Sequence, residues 1–438
     1  MGHLHDVKTA HLALQRRLDQ GPAAAPPTAA IFDILKLLYT EEEARTAAIM
    51  PWAPTSAKHL AARLGEPEEL VRTRLEGMAD KGLVFDFTSP KTGKVRYVLT
   101  PPVVGFFEFT MMRVHPKVDQ GEAARILHRV MFEERAFAAG VFEQGDAVLG
   151  RAMIHEDVLA LQPHAEVLDY QKATWLIEEA GGGGLSPCYC RHKGAHLGHP
   201  CEHPEEVCTT LQPAADFSIR HGFARPAAVS ELLEVLAMCR ERGLVQIADN
   251  VQRNPIYICH CCGCHCGQLL AITHHGLKQA VRTSPRIATV DSEACTGCGR
   301  CARRCPIGAI ALKQRPREAG GSVRMAAMVD ESLCLGCGVC HAACTKARAL
   351  SFPARPERVL TPASTMERIV QRAVEKGAVH SLLLGHEQAG SMAWLHRFLG
   401  AVENLPPVHR ALVSRQLKSR FVAALSGSAK KAGQSPPV

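Results

Sequence analysis

Eight of the chain's eighteen cysteines fall into two phrases of one spacing. Cys295, Cys298, Cys301 and Cys305 make the first, and Cys334, Cys337, Cys340 and Cys344 make the second, so that both read C-x2-C-x2-C-x3-C. Thiolates are soft ligands, and three on a tight loop with a fourth just beyond it suit the shape of a cuboidal iron-sulfur cluster. Zinc is the alternative, but structural zinc sites prefer two separated C-x2-4-C pairs rather than three cysteines in one loop. Glycines at 297, 299, 336 and 338 give each loop its turns and place no Cβ against inorganic sulfur. The phrases therefore predict two 4Fe-4S clusters.

A second concentration of thiols precedes the first. Cys188-Tyr189-Cys190-Arg191 is followed by Cys201 and Cys208, and then by the octet Cys259-His260-Cys261-Cys262-Gly263-Cys264-His265-Cys266. Packing does not explain such density, since a core favours branched aliphatics and exposed thiols are oxidised. Together Cys188, Cys190, Cys201, Cys208, Cys259, Cys261, Cys262, Cys264 and Cys266 offer nine thiolates, enough for one or two more centres. An iron-sulfur cluster, zinc, and a redox-active thiol or disulfide at the adjacent Cys261 and Cys262 all remain open. Spacing does not decide which of the nine bind. Arg191 has three readings: a hydrogen-bond donor to a cluster sulfur, an attractor of an anionic substrate, or an ordinary surface residue. Cys239 shares a helix face with Leu232 and Leu236, so it is expected to be a small buried hydrophobe.

The segment from Ile287 to Phe352 resembles a bacterial-type ferredoxin with two 4Fe-4S clusters. In that family the fourth cysteine of each phrase ligates the other cluster. The resemblance thus implies Cys295, Cys298, Cys301 and Cys344 for one cluster, and Cys334, Cys337, Cys340 and Cys305 for the other. Thr345 departs from the pattern, standing where the first copy has Pro306. Most of the chain is also similar to a family of cytoplasmic iron-sulfur proteins that join a winged-helix-like N-terminal region to a C-x-C-R segment, a cysteine-packed octet and a two-cluster ferredoxin module. His260 and His265 depart from that family's octet, where Asn and Cys are expected. This resemblance implies an arrangement more than a reaction.

The elements that must position these thiols are legible in part. A length of 438 residues allows two to four domains, and 46% hydrophobic with 21% charged residues excludes a disordered chain. No run approaches eighteen apolar residues and no signal peptide opens the chain, so a cytoplasmic location is expected, with reduced thiols that bind metal. The net charge of +8 permits an acidic partner without demanding nucleic acid.

An α+β, multidomain fold is predicted. Residues 1–30, with Pro26-Pro27, read as a flexible arm. Residues 31–112 read as a winged-helix-like domain: helices around Leu60 and Leu64 and around Val71, Leu75 and Met78, followed by a hairpin across Ser89-Pro90-Lys91-Thr92-Gly93. Residues 113–285 are expected to form a helical, Cys-rich domain in which Gly181 to Gly184 are a linker. The ferredoxin module takes 286–353, a helical C-terminal region 354–425, and a disordered tail 426–438. No phosphate loop or dinucleotide fingerprint occurs.

These expectations favour an electron-transfer protein or redox-enzyme subunit, with Arg300, Arg303 and Arg304 docking an acidic redox partner. Two alternatives stand beside it: a redox-sensing regulator acting through the winged helix, and a metal-dependent oxidoreductase with its substrate at the third centre. DNA is not favoured, because Glu66 to Lys81 carries five acids against three bases, and phosphate contacts need the reverse.

Overall fold

Strand-forming runs between residues 150 and 282 pair into one mixed sheet of seven strands in a computed structural model of the chain. The structure describes residues 9–379 apart from 22, 91, 116, 144, 146, 160–167, 316–323 and 358, together with residue 399. In spatial order the strands are Arg225–Ala227, Gly183–Pro187, Glu206–Thr210, Tyr257–Cys261, Val245–Asp249, Gly150–Ala152 and Val281–Arg282. All neighbours are antiparallel except the last pair. Val245–Asp249 is buried along its whole length, as expected of a strand covered on both faces.

The architecture agrees with the α+β expectation, but the middle region is not the helical domain anticipated. Gly183 and Gly184 are not a linker either. They lie within a strand, and their lack of a Cβ has a packing reason: a Cβ on Gly183 would sit 2.3 Å from Thr210 O, and one on Gly184 2.6 Å from Thr210 Oγ1. Gly runs read as linkers because their conformational freedom is visible in sequence, whereas a close neighbour is not.

The N-terminal elements pack against helices that flank this sheet, strand Val84–Thr88 on helix Gln212–Arg220 and helix Phe107–Met111 on helix Tyr189–His196. Thr9–Asp19 is a helix, with Leu14 and Leu18 fully buried, so the arm expected over 1–30 is structured from residue 9; residues 1–8 lie outside the described residues. Its spacing puts Leu14, Leu18 and Arg17 on one inward face, and Arg17 Nε donates to Met50 O at 2.9 Å. Thr40 and Glu43 close a capping box at the start of Glu41–Ala48. Ala57–Leu64 and Glu68–Asp80 are followed by an antiparallel hairpin of Val84–Thr88 with Val95–Leu99.

The ferredoxin-like stretch is built on two small antiparallel pairs, Thr289–Val290 with Leu350–Ser351 and Ile310–Arg315 with Arg324–Val329. One apolar cluster includes Leu14, Ile247 and Phe352, so all three regions share a core. Helix Thr365–Glu375 covers the sheet, where Arg368 pairs with the fully buried Asp249 and donates to Leu149 O at 2.8 Å. Beyond residue 379 the expected helical C-terminal region and the tail lie outside the described residues, Leu399 excepted.

Candidate metal centres

Each four-cysteine phrase follows a turn and runs into a short helical segment, Arg300–Arg304 in the first and His341–Ala343 in the second. Cys301 lies within electrostatic reach of Cys295 and of Cys344 from the other phrase. Cys337 is correspondingly near Cys334 and Cys305, and Cys340 faces Cys337, Cys334, Cys305 and Cys301. The fourth cysteine of each phrase is thus carried to the opposite group. Backbone N–H groups point at the sulfurs: Ala309 donates to Cys305 Sγ at 3.2 Å, and Ala327 to Cys295 Sγ at 3.4 Å. Burial raises the Cys337 thiol to about 12. Soft donors converging from two loops, with N–H donors aimed at them, fit an iron-sulfur cluster.

The nine upstream thiols are brought together by the sheet, but in two groups. Cys259 and Cys261 alternate with His260 along one strand, so both sulfurs share a face. Cys208 comes from the adjacent strand, Cys188 and Cys190 from the start of helix Tyr189–His196, and Cys266 from the start of helix Gly267–Thr273. Interactions between neighbouring thiols link Cys188, Cys190, Cys266, Cys261, Cys259 and Cys208 in that order. Those made by Cys190 and Cys261 hold the Cys266 thiol down at about 5, and those made by Cys208 and Cys261 lower Cys259. Cys201, Cys262 and Cys264 form the second group, with His265. Cys201 Sγ lies 3.8 Å from Cys262 Sγ and 3.7 Å from Cys264 Sγ.

Arg191 stands between the two groups. It is 2% exposed, which removes the surface role open to it in sequence. Its Nη2 donates to His260 O at 2.6 Å and its Nη1 to Pro204 O. Burial alone would lower its pKa, but Cys188, Cys262 and Cys201 outweigh that and raise it. Lys193, one helical turn along from Cys190, is also buried, with Nζ 4.5 Å from the Phe132 ring centroid. Burial lowers its pKa to about 8 against the pull of Cys190 and Cys266. His260, on the opposite strand face from Cys259 and Cys261, has neither ring nitrogen hydrogen-bonded. Cys239 is fully buried beside Val207 and Leu244, as its helical position predicts.

A cavity of about 510 Å³ opens against the six-thiol group. Cys188, Cys190, Cys208 and Cys259 are each partly accessible, and this surface faces the cavity. Trp52, Phe109, Met112, Met131 and Tyr257 supply apolar walls. Glu108 also lines it, accepting from Gly105 N–H at 2.7 Å, and burial raises its pKa to about 8. Sequence reasoning missed Glu108 and Lys193, and named His265 in the octet without making it a ligand. For His265 the C-x-C-H run of Cys262 to His265 was the available signal; Glu108 and Lys193 carry none.

The docking trio is reduced by the structure. Arg304 is half-buried and donates to Glu241 O at 2.6 Å, which commits it to its own chain, while Arg300 and Arg303 are exposed.

The 4Fe-4S dicluster domain family matches residues 274–347, a stretch that holds all eight cysteines of the two phrases and stops short of the octet. No curated protein and no solved structure matches the chain. The chain therefore contains an iron-sulfur, ferredoxin-like, metal-binding module. Among the described residues no helix is long and apolar enough to cross a membrane.

Proposed function

We propose that this chain is an electron-transfer protein or redox-enzyme subunit, with Cys295, Cys298, Cys301 and Cys344 holding one 4Fe-4S cluster and Cys334, Cys337, Cys340 and Cys305 the other. The observation that carries this is the crossing of the fourth cysteines, which puts Cys344 with Cys301 and Cys305 with Cys334 and Cys337. When bound, such clusters supply one-electron redox chemistry. The chain's own contribution is to bury the sulfurs and direct Ala309 and Ala327 N–H groups at them, both of which tune potential.

The six-thiol group is the third redox centre in this proposal, and its ligands come from Cys188, Cys190, Cys208, Cys259, Cys261 and Cys266. The cavity favours one refinement, a redox enzyme whose substrate enters beside these thiols. Its volume lies within the usual range for small-molecule sites, about 300–1,000 Å³. Apolar walls with Glu108 and Lys193 nearby suit a small, largely apolar molecule bearing one or two polar groups. DNA is a poorer partner than a redox protein. Arg72 pairs with Glu68 at 2.7 Å, Arg74 with Glu66 at 2.7 Å and Lys81 with Glu43 at 2.5 Å, so the basic residues of Glu68–Asp80 and its flank are already neutralised. A redox partner would meet Arg300 and Arg303, and a cytoplasmic location suits eighteen unpaired thiols.

Anaerobic purification with iron and sulfide analysis, followed by EPR of the dithionite-reduced protein, tests the proposal. About eight irons are expected from the two phrases and about twelve if the six-thiol group holds a further four-iron cluster. Colourless, iron-poor and EPR-silent material would overturn it.

A further inference from the structure

We infer that Cys201, Cys262, Cys264 and His265 bind a single zinc ion in a closed structural site, separate from every iron-sulfur centre of the chain. The four donor atoms all lie within 4.8 Å of one another. Two sulfurs bonded to one zinc at about 2.3 Å, at tetrahedral angles, are about 3.8 Å apart. The observed separations are 3.8 Å for Cys201 to Cys262 and 3.7 Å for Cys201 to Cys264. A four-iron cube instead spreads its thiolates across separate corners. Among the described residues no other three His, Cys, Asp or Glu donors are packed this tightly, and that includes the ferredoxin cysteines and the six-thiol group. The contrast within one molecule separates a mononuclear site from polynuclear ones.

Surrounding groups support the same ion. His265 Nε2 lies 2.8 Å from His199 O, so it donates its proton there and leaves the Nδ1 lone pair free, 3.2 Å from Cys264 Sγ. Metal-bound histidines are characteristically oriented by such a bond from the other ring nitrogen. The ring lies close against Gly194, where a Cβ would come 2.4 Å from His265 Cδ2 and 2.6 Å from its Nε2. Three thiolates around Zn²⁺ leave one net negative charge, and the Arg191 guanidinium beside Cys262 and Cys201 balances it. Cys264 is exposed, a position where an unliganded thiol would be open to oxidation. Binding releases three thiol protons and transfers no electrons. The ion would tie the loop bearing His199 and Cys201 to the octet and hold Arg191 against the six-thiol group.

Full-length protein from zinc-supplemented cells, purified anaerobically, should contain one zinc per chain in addition to its iron. Cys201→Ser and His265→Ala should lose that zinc with iron and sulfide unchanged, and His265→Cys should retain it. Cobalt added after selective zinc removal should give the visible absorption of a tetrahedral thiolate site in the parent protein and not in Cys201→Ser. Zinc-free parent protein, zinc undiminished in both deletion variants, or iron lost in place of zinc would each overturn the inference. If a variant does not fold, the zinc content and cobalt spectrum of the parent still decide. Because zinc and iron are counted separately, a protein with zinc but no iron would refute the electron-transfer proposal alone.

Discussion

The backbone of Gly263 lies against that of Pro306: a Cβ added at 263 would sit 2.4 Å from the Pro306 carbonyl oxygen. This contact joins the octet to the residue after Cys305, and hence the upstream thiols to the ferredoxin-like module. Replacing Gly263 with valine must push the two backbones apart. Overpacking of this kind costs about 1–3 kcal/mol. The expected result is a lowered unfolding midpoint, together with slower electron exchange between the two regions after a laser-triggered reduction. Unchanged exchange in a folded Gly263→Val protein would show that this contact is not the route.

Crossed ligation makes a pairwise prediction. Cys344→Ser and Cys301→Ser should alter the same EPR signal, and Cys305→Ser should alter the one that responds to Cys334→Ser. Iron should fall by about four per chain where a cluster is lost. Should Cys344→Ser instead act on the signal tied to Cys334, the proposed ligand sets would be wrong.

The buried Arg191 donates to two carbonyls, that of His260 buried and that of Pro204 partly so, and faces thiols from both upstream groups. Removing one partner from a buried charged network costs about 3–5 kcal/mol. Arg191→Ala is therefore expected to shift anaerobic denaturation by an amount in that range, and Arg191→Lys by less, because charge is kept while the fork that reaches both carbonyls is lost. An alanine variant within about 1 kcal/mol of the parent would contradict this account.

His221 clasps the N-terminal hairpin to the sheet region, with Nδ1 2.9 Å from Asp80 Oδ1 and Nε2 2.9 Å from Asp86 Oδ1. Burial lowers its pKa, but the hydrogen bonds to Asp86 and Asp80 outweigh it, and the net shift is upward. A raised folded pKa means that the folded state holds the proton more tightly. The contribution is then complete below the unfolded value of about 6.5 and is lost as pH rises through the folded pKa. Stability of the parent should therefore decline as pH rises above about 6.5 more steeply than that of His221→Gln. Parallel stability curves for the two proteins would rule the clasp out.

Cysteine spacing alone was sufficient to find the ferredoxin-like module, because a cluster demands ligands at short, fixed separations along one loop. Local rules likewise located the hairpin across Ser89 to Gly93 and the buried face of Cys239, since each depends on residues within a few positions of one another. Only the tertiary structure could show that Gly183 lies in a strand pressed against Thr210, that Arg191 is buried, and that Arg304 is held by Glu241. The same holds for the division of nine thiols into a group of six and a group of three with His265. Strand alternation sends Cys259 and Cys261 to one face, the following turn carries Cys262 and Cys264 away, and Cys201 and Cys208 arrive from a distant part of the chain. Sulfur type and local spacing are properties of the sequence, whereas which sulfurs meet depends on sheet pairing between segments some fifty residues apart.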